Sequence, residues 1–434
     1  MKILKLAASI LASAITALTL TSCAAAPTDT VTVRLWDQNV AEAYRESFAE
    51  FTNESGIKVK IKVIPWSDYW SQLRVDLASG SIDDIFWVNA GNFEEYAKQG
   101  LLRKIEKADF NFDDWDSAVI NQYTAANTLW GVPQLSDPGI GLYYNKDLLD
   151  KYGVKVSDIE SLNWDPTKSR DSLRTITQKL TRDSAGRSAA DSKFDRARVT
   201  SHGFNATFDL NAILLNFLGS NGAAWQAGDK FVFDSAKGVQ TFQYLSDLIN
   251  KYRVSPPATD TNPPAGGDLS RDLFIQGKLA LFESGAYNLA NIQTGAKFNW
   301  GIARIPAGPA GAISVTNGIV AAASAKSPKQ AEQLKVLQWL GGKGASFLGK
   351  TGSALTAVKS ARNSFFDYWS AKRVDVSPMI DVLANGYVQA PHGAKYGEAE
   401  AAYLPILTEL FNGKLSVSKA LTDAQVAANK AMGN

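Results

Sequence analysis

Between residues 31 and 100 the apolar residues switch repeatedly between two periods, and that alternation limits the fold more than any other feature. Val31, Val33 and Leu35 alternate with Thr32 and Arg34, which predicts a strand. Val40, Tyr44, Phe48 and Phe51 recur at helical spacing. Ile57, Val59, Ile61 and Val63 alternate with Lys58, Lys60 and Lys62, a second strand. Pro65-Trp66 ends it, and Ser67 is a suitable N-cap for a helix carrying Tyr69, Leu73 and Leu77 up to Gly80. Ile85 to Val88 is a short apolar run of the kind found in buried parallel strands, and a short helix follows from Phe93. The order β-α-β-α-β-α predicts a parallel sheet with helices on both faces. In such sheets ligands gather beyond the carboxyl ends of the strands. Those ends carry Trp36, Gln38 and Asn39, then Trp66, then Asn89 and Asn92. Indole faces beside amides suit a ligand with both apolar and hydroxylated surfaces.

A chain of 434 residues is too long for one core, so two lobes are expected. The stretch Trp130 to Leu149, WGVPQLSDPGIGLYYNKDLL, reads as a crossing between them. Pro138 has no donor to give a sheet, and Gly139 and Gly141 let the backbone bend. Ile313 to Ala323, with Asn317 and a glycine in an apolar run, is a second candidate crossing, and the segment around Arg362 is a third. Further on, Phe208 to Leu218 reads as an apolar helix, Trp225 sits on a loop, and Ser235 caps a helix. Ser327-Pro328-Lys329-Gln330 reads as a capping box. The polar stretch around Asp183 to Lys193 reads as poorly ordered, and no internal repeat is present.

The first residues are expected to be removed. Lys2 and Lys5 precede an apolar run, Leu6 to Leu20, too short to span a membrane comfortably. The run ends in Leu-Thr-Ser-Cys23, a pattern resembling a bacterial lipoprotein signal. Cys23 is the only cysteine, so it cannot form an internal disulfide, and lipidation is the expected use. Residues 1–22 would be the signal peptide, and the body an extracytoplasmic domain tethered to the cell membrane.

Chemistry is sparse elsewhere. The net charge of +2 and the lack of a dense basic run argue against nucleic acid. Gly344 to Thr351 matches GxxxxGK[ST], but a phosphate loop must follow a strand, and here a helix precedes it. His202 and His392 lie far apart, with no metal-ligand spacing, and no GxSxG elbow exists. Carboxylates such as Asp83-Asp84 and Glu94-Glu95 read as solvated faces, with no pair set across a cleft as a glycosidase needs.

Four stretches carry a family resemblance: DIFWVNAGNFEEYAKQGLLRKI from Asp84, GVPQLSDPGIGLYYNKDLL from Gly131, FIQGKLALFESGAYNLANI from Phe274, and VTNGIVAAASAK from Val315. With the lipoprotein signal, they make the chain resemble the solute-binding lipoproteins of ABC-type carbohydrate importers, the class that includes maltose-binding protein. The resemblance implies an α/β, two-lobed periplasmic-binding-protein-like fold. Each lobe would be a mostly parallel sheet flanked by helices, with three crossings near Asp137, Asn317 and Arg362. Residues 24–136 and 318–362 would form the N-terminal lobe, and 140–314 and 365–434 the C-terminal lobe. It implies sugar-stacking roles for Tyr287, Trp87 and Tyr396 and an acidic cleft role for Asp137. Trp225 is a further candidate aromatic. Asn89, Gly91 and Asn92 stand where maltose binders carry charges, which points to a differently hydroxylated sugar. The expected protein is a monomer without enzymatic activity, cofactor or metal, which hands a carbohydrate to ABC permease subunits. The competing readings are a secreted glycosidase or lyase, and a binder of a metal–anion complex or polyamine.

Overall fold

The computed structural model describes residues 30–167, 171–263 and 266–433. The signal segment, Cys23 and the tether as far as Asp29 lie outside them. The chain opens with β1 (Thr30–Leu35), α1 (Gln38–Ser55), β2 (Lys58–Val63), α2 (Trp66–Ser79), β3 (Ile85–Val88) and α3 (Ala90–Lys98). It continues through β4 (Val132–Ser136) into β5 (Ile140–Asn145). Then come α4 (Leu215–Asn221), α5 (Ala236–Asn250), β6 (Leu281–Gly285), α6 (Leu289–Gly295), β7 (Trp300–Arg304) and β8 (Ser314–Thr316). The chain returns along β9 (Gly318–Ala323), α7 (Gln330–Leu340) and α8 (Asn363–Ala371), and ends with β10 (Tyr387–Gln389), α9 (Tyr396–Phe411) and α10 (Val417–Met432).

The first sheet runs β2-β1-β3-β9-β4. Its first three strands are parallel, and β9 runs against both β3 and β4. This is the sheet that the alternating periods predict. The second lobe departs from the expected mostly parallel sheet. There β5 is flanked by β6 and β7, both antiparallel to it, and among the strands named here the short β8–β10 pair is the parallel one. These strands are far apart in sequence, so nothing in their local periodicity fixes their relative direction.

Local chemistry explains most helix ends. Asp37 caps α1 by accepting the N–H groups of Asn39 and Val40 at 2.8 and 3.0 Å, and Gly56 ends the helix at φ 75°. Ser235 caps α5 as expected, accepting from Gly238 at 3.1 Å. Ser67 does not cap α2, which starts one residue earlier behind Pro65. The expected capping box also fails: α7 begins at Gln330, and the Gln330 side chain donates to the Ser327 carbonyl instead of accepting from the Ser327 N–H. The stretch expected to be poorly ordered is organised around buried Asp183. Its carboxylate accepts from the backbone of Ala185, Arg187 and Asp195 and from the Arg187 side chain, at 2.7–2.9 Å. Burial alone would raise the pKa of that carboxyl. The donors outweigh it and bring the value down to about 2.

Two crossings run side by side where β4 passes into β5 and β8 into β9. The Asp137 N–H donates to the Asn317 carbonyl at 2.9 Å. Ile140 N–H donates to Ser314 Oγ at 2.8 Å, so the second lobe grips the same strand just past Gly139. The segment Leu355–Arg362 lies against them. Ser136 N–H reaches the Leu355 carbonyl at 3.0 Å, and Arg362 pairs with Asp116 while its Nε donates to the Thr356 carbonyl at 3.1 Å. A separate apolar cluster, with Tyr143, Phe282, Ile302, Trp369 and Met379, joins the strands of the second lobe to α8.

Candidate functional site

At the carboxyl end of β1, Trp36 is the hub of an aromatic cluster. Its ring is edge-on to Trp66, Tyr69 and Trp87 at 5.2, 4.9 and 4.9 Å, and tilted to Trp70 at 5.5 Å. Edge-to-face packing of this kind fixes each ring against its neighbours. Trp66 is exposed and Trp36 and Trp70 are half-buried, while Tyr69 and Trp87 are shut off from solvent. Trp66 is 39% exposed, whereas Trp87 has no exposed surface, so Trp87 supports Trp36 from behind and does not face a ligand. The apolar run Ile85–Val88 places Trp87 inside the sheet, and this burial overrides the stacking role that the resemblance implied.

The amides at this rim divide in the same way. Asn39 Nδ2 donates to Asn291 Oδ1 on α6 at 3.1 Å, a direct bond between the lobes. Gln38 is exposed and turned along α1 to Glu42 at 2.7 Å. Asn92 is buried, and its side chain donates to Asn89 Oδ1 at 2.7 Å. Asn92 is therefore a brace for Asn89.

The opposing rim belongs to the second lobe. Tyr287 follows β6 and is 43% exposed. Its ring lies over Gly285, where a Cβ would run into it, so the absence of a side chain at 285 makes the seat. Tyr143 Oη donates to the Gly285 carbonyl at 2.9 Å and holds that turn. Although the residue is 43% exposed, its phenol group is enclosed by protein, which raises its pKa, and the nearby Asp209 and Asp137 carboxylates add to the effect.

Asp137, on the first crossing, lies between these rims. Burial pushes its carboxyl up to about 7, and only the Gly139 N–H at 3.2 Å pulls the other way. Beside it, Asn317 has a buried Oδ1 with no partner among the described residues. Asp209 caps a π-turn at Leu210–Leu214 that leads into α4, accepting from Asn211 and Ala212 at 3.1 and 2.9 Å, and burial raises its pKa too. Beneath them Glu283 is fully buried. Asn216 Nδ2 reaches one oxygen at 3.4 Å and the other has no partner among the described residues, and burial holds the acid well above its ordinary range. Sequence reading missed Asp209, Glu283, Asn291 and Asn211, whose buried Oδ1 has no partner among the described residues. Asp209 looks like an ordinary cap, and the other three have no local pattern that points to a ligand.

Three remaining candidates stand apart from these rims. Trp225 is buried in the second lobe and stacked on Phe233 at 4.4 Å, and it borders a cavity of about 260 Å³ with Leu218, Gln226, Gln389 and His392. Tyr396 is buried, shares a hydrogen bond with Tyr403 at 2.8 Å, and presses its ring on Gly91 of α3. It therefore seals the lobes together rather than opening to a ligand. Arg362 is consumed by Asp116 and Thr356 at the third crossing. The GxxxxGKT match lies after α7, on a turn and a single helical turn at Ser346–Lys350, with no strand before it. Among the described residues no group of His, Cys, Asp and Glu is arranged to hold a metal, and no helix is long and apolar enough to cross a membrane.

With this geometry in hand, the comparisons with known proteins are consistent among themselves. Residues 37–346 match a family model described as bacterial extracellular solute-binding protein. The crystal structure of M. tuberculosis UspC is 45% identical and superposes with a TM-score of 0.72, over 93% of this chain and all of that one. The maltodextrin-binding protein MdxE of Bacillus subtilis is 26% identical over 344 residues, 77% of this chain and 76% of its own. An ABC substrate-binding protein from Listeria monocytogenes in complex with cycloalternan shares the fold with a TM-score of 0.78 at 20% identity, over 93% of this chain and 99% of that one.

Proposed function

We propose, given that the chain belongs to the bacterial extracellular solute-binding protein family, that it binds a mono- or oligosaccharide between its lobes and delivers it to an ABC permease. In this reading Cys23 carries the lipid that holds the protein at the outer face of the cell membrane, and the lobes divide near Asp137, Asn317 and Arg362. The observation that carries the reading is the pair of exposed aromatic surfaces on opposite rims. Trp66, backed by Trp36, stands on one rim and Tyr287 on the other, with acids and amides between them. Relatives named for maltodextrin binding or solved with cycloalternan point the same way.

The chemistry follows from the surfaces of a sugar. Its rings present apolar C–H faces, which indole and phenol rings cover. Its hydroxyls must be paired once water is expelled, because each buried hydroxyl left unpaired costs about 1–3 kcal/mol. Asn39, Asn291, Asn317 and Asp137 supply donors and acceptors at the closure line. A protonated Asp137 can donate as well as accept, which a permanently charged carboxylate cannot.

A thermal-shift screen of the mature chain against mono- and oligosaccharides tests the reading. A ligand at 100 times its dissociation constant adds about 2.7 kcal/mol of stability. A clear upward shift with one sugar class, and recovery of that sugar unchanged, is the expected result. No shift with any sugar removes the carbohydrate reading, and a shift accompanied by cleavage would show an enzyme.

A further inference from the structure

Strand β2 is the outer strand of the first sheet, and it carries a row of lysines. Lys58, Lys60 and Lys62 are exposed, while Val59, Ile61 and Val63 between them are half-buried. Lys62 lies 3.9 Å from Asp83, whose closer partner is Arg34 at 2.5 Å. Among the described residues Lys58 and Lys60 form no ion pair. The strand register sets Thr30 beside Lys58 and Thr32 beside Lys60, so the chain enters the fold at the foot of this row. The turn between β9 and α7 lies at the same end: Ala323 opposes Ile85, Ile85 opposes Val33, and Lys329 Nζ donates to the Thr30 carbonyl at 2.7 Å. This turn exposes Lys326. The neighbouring carboxylate of Asp84 is already occupied by Thr32, Ser327 and Lys329. Lys58, Lys60 and Lys326 are thus cations without an ion pair among the described residues, at the opposite end of the strands from Trp36 and Trp66, while near the close of α1 Glu50 and Glu54 share Lys343.

Thr30 comes seven positions after Cys23. A segment of that length reaches at most about 25 Å. We propose that Lys58, Lys60 and Lys326 rest on an anionic phospholipid surface, so that the tethered protein, while it is not docked on a permease, lies with this base against the bilayer. The orientation rests on the reading that Cys23 carries lipid, whereas the lipid-binding face can be tested without it. Each lysine near an anionic membrane strengthens association about fivefold. A basic patch is also the second signal that makes a lipid anchor hold firmly.

Edge lysines also discourage strand-to-strand aggregation, and the experiment must separate that role. The mature chain from residue 24, made without lipid, is sedimented with vesicles of phosphatidylglycerol or of phosphatidylcholine. The expected result is association with phosphatidylglycerol alone and loss of it at about 0.5 M salt. Lys58→Ser/Lys60→Ser/Lys326→Ser should weaken it about 100-fold. Equal association of the parent and the triple variant, or no preference for the anionic vesicle, overturns the proposal and leaves the lysines as edge guards. The sugar-induced thermal shift is measured on the same samples, so a failure of sugar binding is seen separately from a failure of lipid binding.

Discussion

The two rims of the cleft are built on opposite plans. The first-lobe rim is a layered stack of rings in which Trp87 supports Trp36 and Trp36 supports Trp66. Its exposed surface is small and its rigidity comes from depth. The second-lobe rim has one exposed ring, Tyr287, seated on a glycine and surrounded by Asp137, Asp209 and Glu283, acids whose pKa values burial raises. One rim offers a fixed apolar face, and the other offers a ring whose surroundings titrate. An aromatic residue near a cleft thus has two distinct uses, and burial decides which one it serves.

The largest test of this contrast is a pair of substitutions. Trp87→Ala is expected to cost about 3–5 kcal/mol of stability through the cavity it leaves, read by denaturant unfolding. Tyr287→Ala removes a ring that is already 43% exposed, so the free protein should lose less than about 0.5 kcal/mol. Sugar affinity, by calorimetry, should fall by about 2 kcal/mol in that variant. If the two effects were exchanged, the assignment of supporting and contacting rings would be wrong.

The titrating rim is tested next. A carboxyl raised to about 7 in the fold, against an ordinary value near 3.9, keeps its proton when folded after losing it when unfolded. Its contribution is fully present below about pH 4 and fades as pH rises to about 7. Because Asp137 keeps some contact with water, the expected size is about 1–2 kcal/mol rather than the full value of the shift. Asp137→Asn should remove this slope from stability measured between pH 4 and 7, and a slope unchanged in the variant would refute it. The smallest effect is expected at the bond that joins the rims. Asn39→Ala removes the hydrogen bond to Asn291 and should weaken ligand binding by about 0.5–1.5 kcal/mol, read as faster ligand release.

How much of this was readable in the sequence differs between the lobes for the same physical reason. In the first lobe, Val31 to Val88 alternate in a way that burial directly enforces, so the strands and helices follow from nearest neighbours in sequence, whereas the insertion of β9 between β3 and β4 does not. The four apolar residues Ile85 to Val88 even announce that Trp87 is internal. In the second lobe β5 pairs with β6 and β7, each well over a hundred residues away, and local pattern carries no information on direction. The same distance hides the acids. Asp209 and Glu283 acquire their shifted pKa values only when the fold places them together, while Tyr287 became a candidate because its surroundings, ESGAYNL, belong to a stretch that carries the family resemblance. Asp183 shows the converse: a polar stretch without apolar period is ordered by one carboxylate collecting four donors.

The bond from Asp137 N–H to the Asn317 carbonyl has a mechanical meaning. Two connectors bonded side by side cannot slide past each other, although both can flex together, so they act as a leaf spring with one compliant direction. Under the proposed function, work done by a ligand in drawing the rims together would be confined to a single coordinate, and the gap between Trp66 and Tyr287 would act as a gauge for the thickness of what it holds.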